Sequence, residues 1–166
     1  WIMDFNKYIG ASVGLRKLEY NWRDIALYAL AVGAQKEDLN YYYEKNMKAI
    51  PTFGVIPYWN AINVTPQRPI PYPASLIVGE ALQRELGSMP TFLHMEHELI
   101  MHKPIDSIKG SFVFEDTITN IYDRGKDKGI IVKTQLPVYD EAGNLICTNN
   151  SNTIFLAGGG FGGERP

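Results

Sequence analysis

The second half of the sequence is dominated by strand-length runs of β-branched and aromatic residues, and this pattern constrains the fold more than any other feature. Four such runs follow Thr91: FLHMEHELIMH, SFVFEDTITNIY, GIIVKTQLPVY and LICTNNSNTIFLA. Runs of this composition and length are typical of strands. The connectors KPIDSIKG, DRGKDK and DEAGN contain turn-forming residues. Short links between sequential strands favour an antiparallel meander.

The first half contains the clearest helix of the chain. Asn21 can cap it, Asp24 lies in the first turn where the helix dipole favours a carboxylate, and Gly33 can end it. Six apolar residues predict one buried helix face, four at i, i+3, i+4, i+7 spacing and two that widen it: Ile25, Tyr28, Ala29, Val32, Leu27 and Leu30.

Three weaker segments connect this helix to the strands. Leu39 to Glu44 predicts a second short helix that packs aromatic side chains, and Pro51 to Gly54 predicts a bend. Ile56 to Pro73 holds five prolines and predicts a surface loop, because each proline lacks a backbone donor. Ala74 to Leu86, ended by Gly87, predicts another helix. Helices followed by a sheet give an α+β fold, in which the first helix or the helix at 74–86 covers one face of a curved sheet.

The chain length fits one domain. At 166 residues, folding removes about 70% of the surface of the extended chain, which is enough for a sizeable core. We expect a single domain over residues 1–166. Residues 1–19 form an N-terminal segment that packs on the core and ends in a short strand. Residues 157–166 form a glycine-rich tail that needs Phe161 to dock if it is to be ordered.

Charge, apolar runs and cysteine content indicate which partners and which compartment suit the chain. The formal net charge is −2, so the chain lacks the basic excess that favours nucleic acid as a partner. No apolar run approaches the roughly 18 to 20 residues that a membrane span needs. The one cysteine, Cys147, lies among apolar residues, which predicts a buried, unreactive thiol and a reducing compartment such as the cytoplasm.

Three histidines fall in the first predicted strand. Unbroken alternation would place His94, Glu96 and Glu98 on one face, and Met95, His97 and Leu99 on the other. His94, His97 and His102 would then not converge on a metal ion without a bulge. His94 and Glu96 would share a face, which permits acid–base chemistry but is common in ordinary strands.

A basic turn lies between the second and third predicted strands. Arg124, Lys126 and Lys128 form either a solvated hairpin tip or a clamp for phosphate. The residues alone leave both interpretations open.

Four separated pieces of the sequence occur in the order found in one known family. They are RDIALYALAVGA with DLNYYYE, PTFGVIP, LHMEHELIMHKPI and NLICTNNSNTIFLAGGGFGGERP. Together they resemble the N-terminal half of the MaoC-like, type 2 enoyl-CoA hydratases, and the closing GGFGGER is similar to that half's GGFGGKR. The resemblance extends from about Tyr20 to Arg165. It implies a hot-dog fold, in which a curved antiparallel sheet wraps around a helix.

The resemblance also implies that the catalytic pair is missing. In this family the C-terminal hot-dog carries an Asp-x-Asn-Pro-x-His motif, whose Asp and His activate water for addition to a trans-2-enoyl thioester. Aligned from the leading glycine of that motif, this chain has Ala34 for the Asp, Lys36 for the Asn and Leu39 for the His. Alanine and leucine have no ionisable group and a lysine is normally protonated, so none of them can accept a proton from water.

Substrate-binding residues carry over by the same resemblance. The family's Leu-His-Gly-Glu, whose His and Gly contact the thioester ligand, is similar to Leu93-His94-Met95-Glu96. His94 and Met95 are therefore predicted substrate-binding residues. Met95 departs from the family's glycine, which lacks a side chain and permits close approach of a ligand.

The family's Asp-Lys-Gly turn, whose lysine meets the phosphates of CoA, is similar to Asp123-Arg124-Gly125. Arg124 and the nearby Lys126 are therefore predicted phosphate-binding residues, since a guanidinium can bind phosphate in a bidentate manner.

The resemblance implies the substrate-binding hot-dog of an (R)-specific 2-enoyl-CoA hydratase or 3-hydroxyacyl thioester dehydratase of fatty acid metabolism. The catalytic hot-dog would lie on another chain or beyond Pro166. The ligand would be an acyl-CoA or acyl-carrier thioester, with no cofactor or metal. Two alternatives stay open: a homodimeric, non-catalytic acyl-CoA-binding protein, and a self-sufficient enzyme that uses His94 with Glu96. The compartment would be the cytoplasm, or the peroxisome in a eukaryote.

Overall fold

A computed structural model describes residues 3–59, 73–106 and 108–166. Within these ranges, six strands and three helices form an α+β arrangement, in agreement with the predicted class. The strands are β1 (Arg16–Tyr20), β2 (Phe92–Met101), β3 (Gly110–Phe114), β4 (Thr117–Asp123), β5 (Ile130–Tyr139) and β6 (Leu145–Phe155). The helices are α1 (Trp22–Ala31), α2 (Ile56–Trp59) and α3 (Ser75–Leu86).

The strands form one antiparallel sheet in the order β1-β3-β5-β6-β2, with β4 also paired to β5. The predicted meander is therefore correct for β3 to β6 and wrong for β2. β2 does not pair with β3, its successor in the chain, and lies beyond β6 at the edge of the sheet. The run predicted as one strand, SFVFEDTITNIY, is divided into β3 and β4 at Glu115 and Asp116.

Helix α1 begins as its sequence predicts. Asn21 accepts a hydrogen bond from the backbone N–H of Arg23, and the Asp24 carboxylate accepts one from the backbone N–H of Asn21, which together form a capping box. The predicted buried face is only partly correct. Ile25 and Ala29 are buried with Ala26, whereas three residues assigned to that face are exposed: Leu27, Leu30 and Val32. The helix ends at Ala31, so Val32 lies beyond its last turn.

The aromatic segment after α1 forms less helix than predicted. Within Leu39 to Glu44, only Leu39–Tyr41 forms a single 3-10 turn. The bend predicted at Pro51 to Gly54 is a 3-10 turn over Pro51–Val55, and it leads directly into α2.

The proline-rich segment does not begin as a surface loop. Ile56–Trp59 is a helical turn, and Pro57 is buried within it. Proline is tolerated there because the first turn of a helix does not use its N–H groups within the helix. The rest of the predicted loop, 60–72, lies outside the described residues.

Helix α3 agrees with its prediction and ends at Gly87, which has a left-handed backbone with φ of 77°. Its buried residues pack on the sheet near Phe155. A Cβ atom on Gly79 would lie only 2.8 Å from the Phe155 ring, so the absence of a side chain permits close helix–sheet packing.

The core has two parts, and each of the longer helices covers one. Ile25 and Ala26 of α1 pack with Phe53, Phe112 and neighbouring residues. Val78 and Leu82 of α3 pack in a second cluster that contains Ile121, Val132 and Phe155. The covering role predicted for one helix or the other is shared by both.

The glycine-rich tail is held by specific contacts. The ring of Phe161 packs edge-on against Phe5 with centroids 5.3 Å apart, as the sequence required for an ordered tail. The buried Asp123 carboxylate accepts backbone N–H groups from Gly160 and Gly162, each at 2.7 Å, and from Gly125 at 2.8 Å.

The thiol of Cys147 is buried, as predicted, and burial raises its pKa to about 12. Within the described ranges, no helix is long and apolar enough to cross a membrane.

Candidate functional site

A bulge in β2 brings two histidines onto one face. His94 pairs with Thr153, but the next paired residue is Glu96, opposite Asn152, so Met95 is an extra residue without a partner. The alternation is shifted by one from that point, and His97 pairs with Ser151. The prediction that His94 and His97 point to opposite faces is therefore wrong, because it assumed unbroken alternation.

The predicted pairing of His94 with Glu96 is wrong for the same reason. After the bulge, Glu96 and Glu98 lie on the opposite face of the sheet from His94. Their carboxylates accept hydrogen bonds from the side-chain amides of Asn152 at 2.6 Å and Asn150 at 2.8 Å. Neither glutamate therefore lies on the same face of the sheet as His94.

Two aromatic residues of α2 pack against both imidazoles. The Tyr58 ring lies 4.8 Å from the His97 ring, and the Trp59 ring lies 4.8 Å from the His94 ring, each at a steep angle. The two imidazole centroids are 5.6 Å apart. The 3-10 turn at Pro51–Val55 positions α2 for these contacts, because it places Phe53 in the core immediately before the helical turn.

Hydroxyl and amide groups on the buried face of β6 hold the two histidines. The Tyr58 hydroxyl donates to Ser151 Oγ at 2.7 Å, and Ser151 Oγ lies 3.3 Å from His94 Nδ1. His97 Nε2 lies 2.9 Å from Asn149 Oδ1, and Asn149 Nδ2 donates to the Gly54 carbonyl at 3.1 Å. Both imidazoles are therefore oriented by β6.

The surroundings favour neutral histidine and neutral tyrosine. Partial burial, and secondarily the proximity of His97, lower the pKa of His94. Burial raises the pKa of Tyr58 against the opposing effect of its bond to Ser151. At neutral pH, His94 is therefore a neutral imidazole.

These side chains border a cavity of about 140 Å³ at the start of α3. Its lining combines apolar rings with a few hydroxyl and imidazole groups: Tyr58, Trp59, Pro73, Ser75, Phe92, His94 and Thr153. Ser75 and Thr153 are joined by their hydroxyls at 3.2 Å. An apolar cavity with a few convergent polar groups is typical of a small-molecule site.

A buried carboxylate fixes the start of α3 beside this cavity. Asp116 Oδ2 accepts the backbone N–H of Ala74 at 2.7 Å, while Oδ1 has no hydrogen-bond partner among the described residues. Burial raises the pKa of Asp116 despite this bond.

The other predicted site residues lie as follows. Met95, the bulge residue, is 48% exposed and does not have a positive φ, so the position accepts a side chain without backbone strain. Arg124 and Lys126 lie in the turn between β4 and β5, where Arg124 donates to the Lys128 carbonyl at 2.8 Å. The turn is at the same end of the sheet as Phe92, since Asp123, Ile130, Phe155 and Phe92 form one row of paired residues.

The positions that replace the catalytic motif lie in the surface turn after α1. Lys36 is exposed and its ammonium lies 3.6 Å from the Glu37 carboxylate, and Leu39 is half exposed. Asp38 receives a hydrogen bond from the Gln35 backbone at 2.8 Å and serves to close the turn.

Sequence reasoning missed Tyr58, Trp59 and Ser151. One available signal was the polar residues at alternate positions of a predicted strand: Asn149, Ser151 and Thr153, which are 1%, 2% and 5% exposed. Buried polar groups need partners, so they mark a place where other polar side chains converge. Among the described residues, no group of three or more His, Cys, Asp or Glu side chains could hold a metal ion.

Comparison with known proteins places this arrangement in a family. Residues 18–158 match a family model described as the MFE-2 hydratase 2 N-terminal domain. The chain belongs to this family. The match covers all six strands except the first two residues of β1, and it includes the bulge and the histidines.

Curated relatives of this hydratase 2 N-terminal domain are longer than the chain. A probable enoyl-CoA hydratase 2 from Dictyostelium discoideum is 32% identical over 171 residues, which is 98% of this chain and 51% of that protein. A peroxisomal multifunctional enzyme type 2 from Mus musculus is 31% identical over 148 residues, which is 84% of this chain and 17% of that enzyme. The chain thus spans about half or less of the length of these relatives.

Solved structures show the fold. A MaoC-like dehydratase from Phytophthora capsici has a TM-score of 0.68 at 23% identity, over 92% of this chain and 49% of that one. The full-length peroxisomal multifunctional enzyme type 2 from Drosophila melanogaster has a TM-score of 0.61 at 24% identity, over 85% and 22% of the two chains. The expected hot-dog fold is confirmed.

Proposed function

We propose that this hydratase 2 domain is the substrate-binding, non-catalytic hot-dog of an (R)-specific 2-enoyl-CoA hydratase or 3-hydroxyacyl thioester dehydratase. Its chemistry would be supplied by a catalytic hot-dog. The observation that carries the proposal is a contrast between two regions. His94 lies at an apolar cavity with convergent polar groups, whereas the surface turn at Ala34, Lys36 and Leu39 holds no acid–base pair.

The edge strand supports a second hot-dog as the partner. β2 pairs only with β6 among the described strands, so the backbone groups along its other side have no strand partner. Four large apolar side chains of this strand are exposed: Phe92, Leu93, Met95 and Ile100. A long apolar edge of this kind is normally covered in a native protein, and pairing with a second strand would cover it.

The same strand carries the site. His94 lies at the edge strand, so a partner paired along β2 would place its own residues beside the cavity at Tyr58 and Phe92. A site completed from both sides fits a chain that binds a thioester but lacks the groups to activate water. A structural neighbour is itself a complex, the 3R-hydroxyacyl-ACP dehydratase HadBC of Mycobacterium tuberculosis, with a TM-score of 0.57.

The ligand would be an acyl-CoA or acyl-carrier thioester. The aromatic cavity would take the thioester and the adjoining part of the acyl chain, and Met95 would border it at the bulge. Arg124 and Lys126 would meet phosphate groups at the turn, which lies three strands away at the same end of the sheet. Three strand spacings correspond to about 14 Å.

Relatives named as peroxisomal enzymes support a role in fatty acid metabolism. The compartment would be the peroxisome if the chain is eukaryotic and the cytoplasm otherwise.

The activity test uses hydration of crotonyl-CoA. The isolated chain should show none, and activity should appear when a catalytic hot-dog with the Asp-x-Asn-Pro-x-His motif is present. In that assembly, His94→Ala should lower kcat/KM by at least about tenfold, as expected when a positioned hydrogen-bond donor to the reacting group is lost. His102→Ala is the matched control, because His102 follows the other end of β2 and contacts the Thr148 hydroxyl instead. Robust hydration by this chain alone would contradict the proposal.

The pairing test uses a charge on the edge strand. Leu93→Lys should abolish association of this chain with a second hot-dog, since an unpaired lysine would be placed in the interface between the two strands. Leu27→Lys is the control, because Leu27 is similarly exposed on α1. Sedimentation velocity measures both, and equal association of the two variants would exclude β2 as the pairing edge. Association of the chain with itself, together with binding of crotonyl-CoA, would favour the homodimeric acyl-CoA-binding alternative.

A further inference from the structure

A chain of hydrogen bonds runs from α2 across β6 to β2. Tyr58, Ser151 and His94 come from three different elements, and the sequence separates Tyr58 from Ser151 by 93 residues. Ser151 is buried, while His94 lies at the cavity. The hydrogen bonds lead from Tyr58 through Ser151 to His94 Nδ1. Their directions therefore decide which nitrogen of His94 carries the proton.

In the neighbouring histidine, His97, an amide side chain decides which ring nitrogen carries the proton. The Gly54 carbonyl accepts from Asn149 Nδ2, which turns Asn149 Oδ1 toward His97 Nε2. An amide oxygen can only accept, so His97 Nε2 must carry a proton. Among the described residues, His97 Nδ1 is buried without a hydrogen-bond partner. The hydrogen bonds of His97 therefore select the Nε2–H tautomer.

The proton of His94 is directed by a hydroxyl instead of an amide. The Tyr58 hydroxyl donates to Ser151 Oγ at 2.7 Å, so the proton of Ser151 is directed away from Tyr58. His94 Nδ1 lies 3.3 Å from Ser151 Oγ and can accept that proton. A neutral imidazole that accepts at Nδ1 donates at Nε2.

We propose that Tyr58 and Ser151 are positioning residues that hold His94 in the Nε2–H tautomer, so that this chain offers an N–H donor to a carbonyl oxygen in the cavity. The identity of that carbonyl as a thioester rests on the proposed function, whereas the tautomer does not. Tyr58 and Ser151 act through His94. This hot-dog then supplies a neutral hydrogen-bond donor, and it does not need to transfer a proton.

The surroundings support a donor that stays neutral. His97 is the titratable group that faces His94 from its own strand, and Tyr58 faces it from α2. Their proximity and partial burial disfavour the imidazolium form, in agreement with the lowered pKa of His94.

The test is NMR of the three imidazoles in the whole chain labelled with ¹⁵N histidine, at neutral pH. The expected result is a protonated Nε2 and an unprotonated Nδ1 for both His94 and His97. A protonated Nδ1 in His94 would mean that His94 donates to Ser151, which overturns the proposal. This measurement requires no variant.

Substitutions separate a positioning role from a structural one. Ser151→Ala removes the donor to Nδ1 and should shift the tautomer ratio of His94 about fivefold toward Nδ1–H, the effect of one ordinary hydrogen bond. Thr148→Ala removes the corresponding hydroxyl beside His102 and should change only the His102 signals. A His94 ratio that is equal in the wild type and Ser151→Ala contradicts the role of Ser151.

Tyr58→Phe keeps the ring contacts with Trp59 and His97 and removes only the hydroxyl. It should shift the His94 ratio in the same direction but by less, because Ser151 remains and is merely no longer oriented. Tyr28→Phe is the control, since its hydroxyl donates to the Thr52 carbonyl at 2.9 Å, away from the histidines. Equal effects of the two tyrosine variants on His94 would overturn the role of Tyr58.

Addition of crotonyl-CoA to the chain distinguishes this inference from the proposed function. A thioester bound as proposed should shift the His94 Nε2 resonance and leave that of His102 unchanged. If the tautomer is as expected but crotonyl-CoA shifts neither resonance, the positioning roles are retained and the thioester is excluded as the acceptor for the isolated chain. A shift of the His94 Nδ1 resonance alone would contradict both the Nε2–H tautomer and the proposed binding of the thioester.

Discussion

Strand β4 has a buried aspartate at each end, and the two are held in opposite ways. Asp116 precedes the strand and is 3% exposed, and Asp123 ends it and is 1% exposed. Burial alone would raise the pKa of both carboxyl groups. The pKa of Asp116 is raised, whereas that of Asp123 is lowered.

The difference lies in the number of donors that reach each carboxylate. Asp116 accepts one backbone N–H, from Ala74, and its other oxygen has no hydrogen-bond partner among the described residues. Thr134 and Arg16 also lower the pKa of Asp116, but burial outweighs them. Asp123 accepts three backbone N–H groups, and together with the Arg165 guanidinium they outweigh the cost of burial. A buried carboxylate therefore stabilises this fold only where the chain brings enough donors to it.

The two aspartates also serve different parts of the molecule. Asp123 joins the hairpin turn to the glycine-rich tail, and Asp116 fixes the start of α3 beside the His94 cavity. The comparison predicts that stability depends on Asp123 more than on Asp116.

The largest effect is expected for Asp123→Asn. The amide retains one acceptor and turns an NH₂ group toward N–H donors, so the free energy of unfolding should fall by about 2 kcal/mol, the range for hydrogen bonds to a charged group. Urea denaturation measures the change. Asp127→Asn is the control, because it removes the same charge in the same turn and asparagine tolerates the positive φ of 61° there. A similar loss for both variants would show that charge alone matters.

A smaller effect is expected for Phe161→Ala. The ring packs edge-on against Phe5 and is only partly buried, so its removal should cost about 1 to 2 kcal/mol. Amide exchange of 158–163 should quicken while that of β5 is unchanged. Leu156→Ala, at a side chain that is 52% exposed, should have little effect on either.

Asp116→Asn should change the free energy of unfolding by less than about 1 kcal/mol at pH 7. The amide oxygen can still accept the Ala74 N–H, and removal of a poorly partnered buried charge offsets the loss of a strong acceptor. A destabilisation as large as that of Asp123→Asn would show that the Asp116 carboxylate stabilises the fold as much as the Asp123 carboxylate does.

The smallest effect is the pH dependence of these differences. The folded pKa of Asp123 lies below its unfolded value of about 3.9, so its stabilisation is present above that pH and is lost as pH falls through the folded pKa. The folded pKa of Asp116 lies above its unfolded value, so stability is lost as pH rises through the folded pKa. Unfolding free energies from pH 2 to 7 should show that acidification weakens the wild type relative to Asp123→Asn and strengthens it relative to Asp116→Asn. Parallel curves would contradict both assignments.

Local signals in the sequence predicted local structure well. Asn21 predicted the N-cap of α1 and Asp24 its acidic first turn, Gly87 predicted the end of α3, and the β-branched runs predicted strands near their observed bounds. These features depend on residues within one turn or one strand. The fold class, and with the resemblance the hot-dog fold, could therefore be reached before the structure.

Features that depend on contacts between distant parts of the chain could not be predicted from the sequence. β2 lies at the edge beside β6 because of pairing across about 50 residues, which the order of strands in the sequence does not encode. The bulge at Met95 has no glycine or proline to mark it, and one extra residue was enough to place His97 beside His94. Tyr58 and Ser151 meet across 93 residues, so their contact became visible only in the fold.

The burial of Cys147 has a practical consequence. It is the one cysteine of the sequence, and its thiol faces the Gly54 carbonyl in the interior. A thiol reagent can modify it only when the turn at Pro51–Val55 moves away from β6, because the buried thiol is otherwise out of reach of solvent. The rate of labelling in native buffer would then report how often this region opens, so the protein contains its own probe for motion of the turn that leads into α2.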